Sequence, residues 1–194
     1  MPRLKKNHLV EKRNVLNDMR AHSMTLQELK LFSIYLSKIN SRDISTRVVR
    51  FTVNDFKTIM DLDRIKIDHM KDVTNRLLSR IVKVPNERGG HTAFQLFKQC
   101  TVDMDKNGDW YVEIDAHDKA LPLMFDFQRD YFTYKIWNAL KLRSPNQLRM
   151  YEILKQYQSA GFRILSLEEL RELLWIGKDE YKAYKDFRVR VLDA

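Results

Sequence analysis

The chain has 194 residues with 35 Lys+Arg against 26 Asp+Glu, a net charge of +9, 44% hydrophobic residues and a single cysteine. That content can bury a core and excludes disorder, while five glycines and four prolines exclude a collagenous or low-complexity chain. Cys100 alone forms no internal disulfide, no apolar run approaches the ~20 residues of a membrane span, and residues 1–6 hold no signal-peptide stretch, so a soluble, basic, cytoplasmic protein is expected.

Residues 8–20 mix apolar and charged side chains without a period and are expected to form an extended arm or short strand. Thr25 and Glu28 make a T-x-x-E capping box, in which each side chain satisfies a free amide at a helix start. Leu29, Phe32, Leu36 and Ile39 follow at helical spacing, and Asn40-Ser41 ends that helix. Residues 48–53 read as a short β-branched strand. Residues 54–60 predict a short capped helix, 61–66 a turn, and 67–82 a longer helix with Met70, Val73, Leu77, Leu78 and Ile81 on its apolar side. Lys71, Asn75, Arg76, Arg80 and Lys83 lie mostly off that stripe. A helix-turn-helix with a basic outer face suits DNA, although a plain helical hairpin with solvated charges fits the same segment. After Pro85 the period becomes two. Residues 94–102 and 110–114 are strands joined through Asn107-Gly108, and 86–90 offers an earlier turn for another hairpin. A helix-turn-helix followed by a β-hairpin is a winged helix.

Residues 119–142 are aromatic-rich and ambiguous in structure. Phe125, Phe127, Tyr131, Phe132, Tyr134 and Trp137 have the chemistry to stack on unpaired bases, but such a cluster is more often core or an interdomain contact, and that reading is preferred. Ser144-Pro145 opens a firm helix filled by Leu148, Tyr151, Ile153, Leu154 and Tyr157 and closed by Gly161. Residues 162–165 read as a short strand, and Ser166 with Glu169 forms a second capping box opening 167–174. Residues 181–192 predict a last helix, with Phe187 and Val191 on one side and Lys182, Lys185, Arg188 and Arg190 around the rest. Helix, strand, helix, turn, helix repeats the order of 25–83. The expected fold is α+β, with tandem winged-helix domains over 1–135 and 136–194 and the second truncated before its wing.

Charge is unevenly spread. Residues 1–100 carry 20 basic and 10 acidic side chains, 101–130 carry 3 and 8, and 131–166 carry 6 and 1. Two basic regions flanking an acidic one suit a polyanion such as duplex DNA, because each neutralised phosphate releases counterions. No catalytic seat is visible: Gly177-Lys178 lacks the rest of a phosphate loop, five histidines are scattered, and one cysteine supports no zinc site, so no enzyme, metal or cofactor is expected. Asp103-x-Asp105-x-Asn107-Gly108-Asp109 opens like a calcium loop, but its twelfth position is Ile114, and a hairpin turn is preferred. The hairpin strands 94–102 and 110–114 are expected to offer an exposed edge for self-association.

Three segments carry a resemblance. They are Met24-Thr25-Leu26-Gln27-Glu28-Leu29-Lys30-Leu31-Phe32 with Leu36-Ser37-Lys38-Ile39-Asn40; Leu142-Arg143-Ser144-Pro145 with Leu148-Arg149-Met150-Tyr151-Glu152-Ile153-Leu154-Lys155; and residues 167–174 followed by 184–193. In this order they resemble the Rep-type, iteron-binding initiators of plasmid replication. Trp175 stands where that family has a turn glycine, Val189 replaces a basic residue, and Asn146-Gln147 replaces an aromatic-small pair. The resemblance implies a first domain for dimerisation and phosphate contacts and a second that reads repeated origin sequences. It also implies dimers that repress their own promoter, and host helicase and initiator proteins as partners. A winged-helix transcriptional repressor without a replication role is the alternative. The candidate DNA contacts are Lys71, Asn75, Arg76, Arg80, Lys83, Arg143, Arg149, Lys182, Lys185, Arg188 and Arg190. Arg188 and Arg190 lie about 200° apart around a helix, so Arg188 with Lys185 is preferred for base reading.

Overall fold

The computed structural model describes residues 5, 7–18, 24–60, 62–86 and 88–193. The mixed arm at the start is a strand, β1 (Leu9–Arg13), which runs directly into α1 (Asn14–Asp18). Its partner is β7 (Tyr131–Lys135), paired antiparallel from Leu9↔Lys135 to Arg13↔Tyr131. α2 (Leu26–Lys38) begins as expected at Thr25: the Glu28 amide donates to the Thr25 hydroxyl at 3.3 Å, and the Thr25 amide donates to the Glu28 carboxylate at 2.6 Å. Every residue from Glu28 to Leu36 is buried. The expected stripe is therefore widened to the whole circumference, because β1 and the later helices α4 (Ile67–Leu78), α6 (Ile136–Leu140) and α7 (Pro145–Gln156) surround it.

β2 (Val48–Thr52) leads into α3 (Val53–Ile59), whose Asp55 amide donates to the Thr52 hydroxyl at 2.9 Å. The next helix, α4 (Ile67–Leu78), stops at Leu78 instead of running to Val82. Ile81, Val82 and Val84 are β-branched and enter β3 (Ile81–Pro85), which pairs antiparallel with β4 (His91–Gln95). This hairpin is the wing, and the Asn86 amide donates to the Gly90 carbonyl at 2.8 Å between its strands. The chain bends at Leu96, so the long strand expected over 94–102 is divided between β4 and β5 (Phe97–Met104). β5 pairs with β6 (Trp110–Ala116), and the sheet order is β2-β6-β5. β6 is thus the central strand, and the edge of the hairpin is the outer side of β5. The acidic run 103–109 is the hairpin turn: the amides of Asn107 and Asp109 donate to Asp105 Oδ1 at 2.9 and 3.0 Å, and Gly108 takes φ +84°.

Of the aromatic cluster, Phe125, Phe127, Phe132 and Tyr134 are buried and Tyr131 and Trp137 half-buried, around the short α5 (Leu121–Met124) and β7. α7 opens at Ser144, whose hydroxyl accepts from the Gln147 amide at 3.1 Å. Residues 162–165 are not a strand: Phe162 is 72% and Ile164 86% exposed, and no strand among the described residues pairs with them. Without a partner their backbone groups turn to water. α8 (Leu167–Leu173) carries the second capping box, with bonds of 3.1 and 2.8 Å between Ser166 and Glu169. The last helix begins at Tyr184 rather than Tyr181, as α9 (Tyr184–Phe187), and continues through a π-helical turn, Arg188–Leu192.

Two apolar cores result. The larger holds α2, β2, β6 and α4 and extends into Ile136, Ala139, Leu140 and Leu148. The smaller holds Ile153, Leu173, Leu174, Ile176, Phe187 and Val191. They meet along α7. No helix among the described residues is long and apolar enough to cross a membrane.

Candidate nucleic-acid interface

The first helix-turn-helix is α3, the turn after it, and α4. Met70, Val73 and Leu77 repeat at i, i+3 and i+7 and are almost fully buried, which turns Lys71, Asn75 and Arg76 to solvent. Lys71 lies 3.6 Å from Asp68 and 5.7 Å from the Trp110 ring centroid. Arg76 keeps 45% of its side chain exposed, 3.6 Å from Glu28. Arg80, expected as a phosphate contact, grips both oxygens of Glu28 at 3.0 and 2.9 Å. Glu28 has no exposure and also closes the capping box. One buried acid therefore holds the start of α2 and the end of α4, and the charge of Arg80 is compensated within the fold. Lys83 is not helical: it stands exposed on β3 opposite Ala93, on the wing.

In the second helix-turn-helix, Phe187 and Val191 are buried one turn apart and seat the last helix on the smaller core. Arg171 braces the intervening turn, donating to the carbonyls of Gly177 at 2.8 Å, Tyr181 at 3.2 Å and Glu180. Lys185, Arg188, Val189 and Arg190 stand exposed on the outer side of that helix. Arg188 Nε lies 3.2 Å from Asp193, and Lys182, in the turn, lies 2.9 Å from Asp179. Lys185 and Arg190 have no acidic partner among the described residues. Arg143 is exposed just before the Ser144 cap.

Arg149 is the clear departure. It was expected on the DNA-binding surface, yet it is 1% exposed, with its guanidinium spent on interior partners. It donates to Asn17 Oδ1 at 2.8 Å, to the Asn17 carbonyl at 2.6 Å, to Glu152 at 3.2 Å and to the Leu173 carbonyl at 3.1 Å. Glu152 also accepts from Lys12 at 2.7 Å and from the Tyr134 hydroxyl at 2.8 Å. Burial lowers the Lys12 pKa to about 8, with Glu152 opposing the shift. Burial would push Glu152 upward, but Lys12 and Arg149 hold it below its ordinary value. Lys12 and Asn17 carry no signal in the sequence, Tyr134 enters there only as one of the aromatic cluster, and Glu152 only within a segment that carries the resemblance. The only local signal was the i, i+3 spacing of Arg149 and Glu152 beside the apolar Leu148 and Ile153.

Trp175 takes φ +61°, the left-handed region that the family's glycine would occupy. Its ring lies 4.4 Å from the Arg149 guanidinium carbon and packs on the larger core. Among the described residues, no three His, Cys, Asp or Glu side chains converge as metal ligands would.

Residues 9–155 match the family model described as initiator replication protein, WH1. The chain belongs to that family. The initiator is also similar to the crystal structure of the Pi initiator protein in complex with iteron DNA, with a TM-score of 0.81, 16% identity, and coverage of 98% of this chain and 84% of that one. That match shows the tandem winged-helix fold. A second similar structure is that of domains 2 and 3 of RctB, with a TM-score of 0.49, 10% identity, and coverage of 88% of this chain and 68% of that one. No curated protein sequence matches the initiator.

Proposed function

We propose that the initiator binds repeated origin DNA, the iterons, and starts plasmid replication there. The last helix is its main reader, and the first helix-turn-helix and the wing supply phosphate contacts. The carrying observation is the pair Lys185 and Arg188 on the exposed side of a helix whose opposite side is fixed by Phe187 and Val191. A rigid helix with cations outward suits the major groove, where guanine presents two acceptors. Arg76 and Lys71 on α4, Lys83 on the wing and Arg143 before α7 supply further positive charge.

Two units, 1–135 and 136–194, divide this labour between them without an enzymatic step. The protein acts as a cytoplasmic homodimer that represses its own promoter and hands the origin to host helicase and initiator proteins. Self-association is supported by the outer edge of β5, which pairs with no strand among the described residues. The test of the DNA contacts is a salt series with random duplex. Lys185→Glu should weaken binding and flatten the slope of log affinity against log salt by about one counterion. A Lys185→Glu protein with unchanged affinity and slope would remove the last helix from the interface.

A further inference from the structure

The geometry points to Arg149 as a positioning residue that sets the second helix-turn-helix against the first unit, with Trp175 as its stacking partner. Its consequence for DNA reading rests on the function proposed above; the coupling itself does not.

Three attachments converge on this guanidinium. Its Nε and Nη2 donate to the Leu173 carbonyl at 3.3 and 3.1 Å. That carbonyl is at the C-terminal end of α8, where helix carbonyls lack intrahelical partners. Its other edge holds both the side chain and the carbonyl of Asn17 in α1, the continuation of β1. Its face carries Trp175 at 4.4 Å. Trp175 belongs by sequence to the turn of the second helix-turn-helix, but it borders a void of about 20 Å³ beside Leu16, Met24, Val82 and Leu96 of the first unit. Val82 lies on the wing strand β3. The end of α8 and the turn that follows it are thus both tied to the first unit.

Only a planar fork can serve these partners together. A lysine in its place would be a single point charge on a flexible stem. Arg149 is buried and cannot reach a phosphate, so its effect on DNA passes through the placement of the last helix. If two DNA-contacting units are held at a fixed offset, a repeat is recognised by the whole pair. If they swing independently, each pays its own ordering cost.

The experiment measures the distance between spin labels at Ser79→Cys and Lys178→Cys, in a Cys100→Ser background and without DNA. Both labelled positions are exposed, one at the end of α4 and the other in the second turn. Arg149→Met and Trp175→Gly are compared with the parent. Glycine takes φ +61° without strain, so Trp175→Gly removes the stack while relieving the backbone, and it decides the matter where Arg149→Met fails to fold. Both variants should broaden the distance distribution. They should also lose at least about tenfold of the preference for repeat-bearing over random duplex while keeping the salt slope on random duplex. Folded variants with the parent's narrow distribution would overturn the inference. If the parent shows no preference for repeats, the DNA-reading proposal fails by itself, and the distances still decide the coupling.

Discussion

Replacing Glu152 with glutamine keeps the side chain's shape and removes one charge. The carboxylate is 1% exposed, 2.7 Å from Lys12 Nζ and 3.2 Å from Arg149 Nη1. Its loss leaves two buried cations with only the weaker field of Asp18 to offset them, and breaking a buried pair in this way costs about 3–5 kcal/mol. Lys12 limits the damage. Burial already holds its pKa at about 8, and without Glu152 it falls further, so the lysine gives up its proton more readily than in wild type. The expected loss at pH 7 is therefore near the lower end, about 3 kcal/mol, or a fall in Tm of about 6–12 °C for a chain of this size. Lys12 and Arg149 keep Glu152 below its ordinary value of 4.5, so its stabilisation is present above that pH and lost as pH falls through the folded value. Urea denaturation followed by circular dichroism should show a gap between wild type and Glu152→Gln that is fully present at pH 7 and 5.5 and narrows only below pH 4.5. A gap below about 0.5 kcal/mol at pH 7, or one that widens between pH 5.5 and 4, would refute the assignment of Glu152 as the main anion of this buried cluster.

Lys12→Met should differ from wild type by about 1 kcal/mol or less at pH 7, because Arg149 and Glu152 then form a balanced pair. Between pH 8 and 10.5 the unfolded chain binds the Lys12 proton more tightly than the folded one, so wild-type stability gains a component that rises with pH; Lys12→Met should lack it in urea melts across that window. Arg76→Ala and Arg80→Ala should separate two roles that look alike in sequence. Arg76→Ala should flatten the salt dependence of duplex binding by about one counterion without moving Tm. Arg80→Ala should cost about 2–3 kcal/mol in denaturation because it removes the nearer of the two cations that pair with the buried Glu28.

Elements with a local chemical signature were legible from sequence. Thr25/Glu28 and Ser166/Glu169 cap helices through bonds made within three residues, Ser144-Pro145 starts α7, and Asn107-Gly108 turns a hairpin. Where the chain was misread, two periods fitted the same residues or the partner was distant. Leu77, Leu78 and Ile81 satisfy a helical stripe, yet Ile81 pairs with Gln95 as the first residue of the wing. Residues 162–165 alternate like a strand but find no strand to pair with. The candidate site divides the same way. Exposed cations around Phe187 and Val191 follow from helical spacing. The burial of Arg149 does not, since its partner Asn17 is 132 positions away, and Arg80 meets Glu28 across 52. Long-range ion pairs turn apparent surface charge into interior structure.

The initiator is expected to prefer repeated origin DNA over duplex of random sequence. The direct measurement is a competition titration by fluorescence anisotropy at one fixed salt concentration. A labelled duplex carrying tandem ~20-base-pair repeats from beside its own gene is displaced by unlabelled repeat or random duplex. Random competitor should be needed in excess of at least about 10³-fold, the low end of the specific-to-nonspecific range. Equal displacement by the two competitors would contradict it.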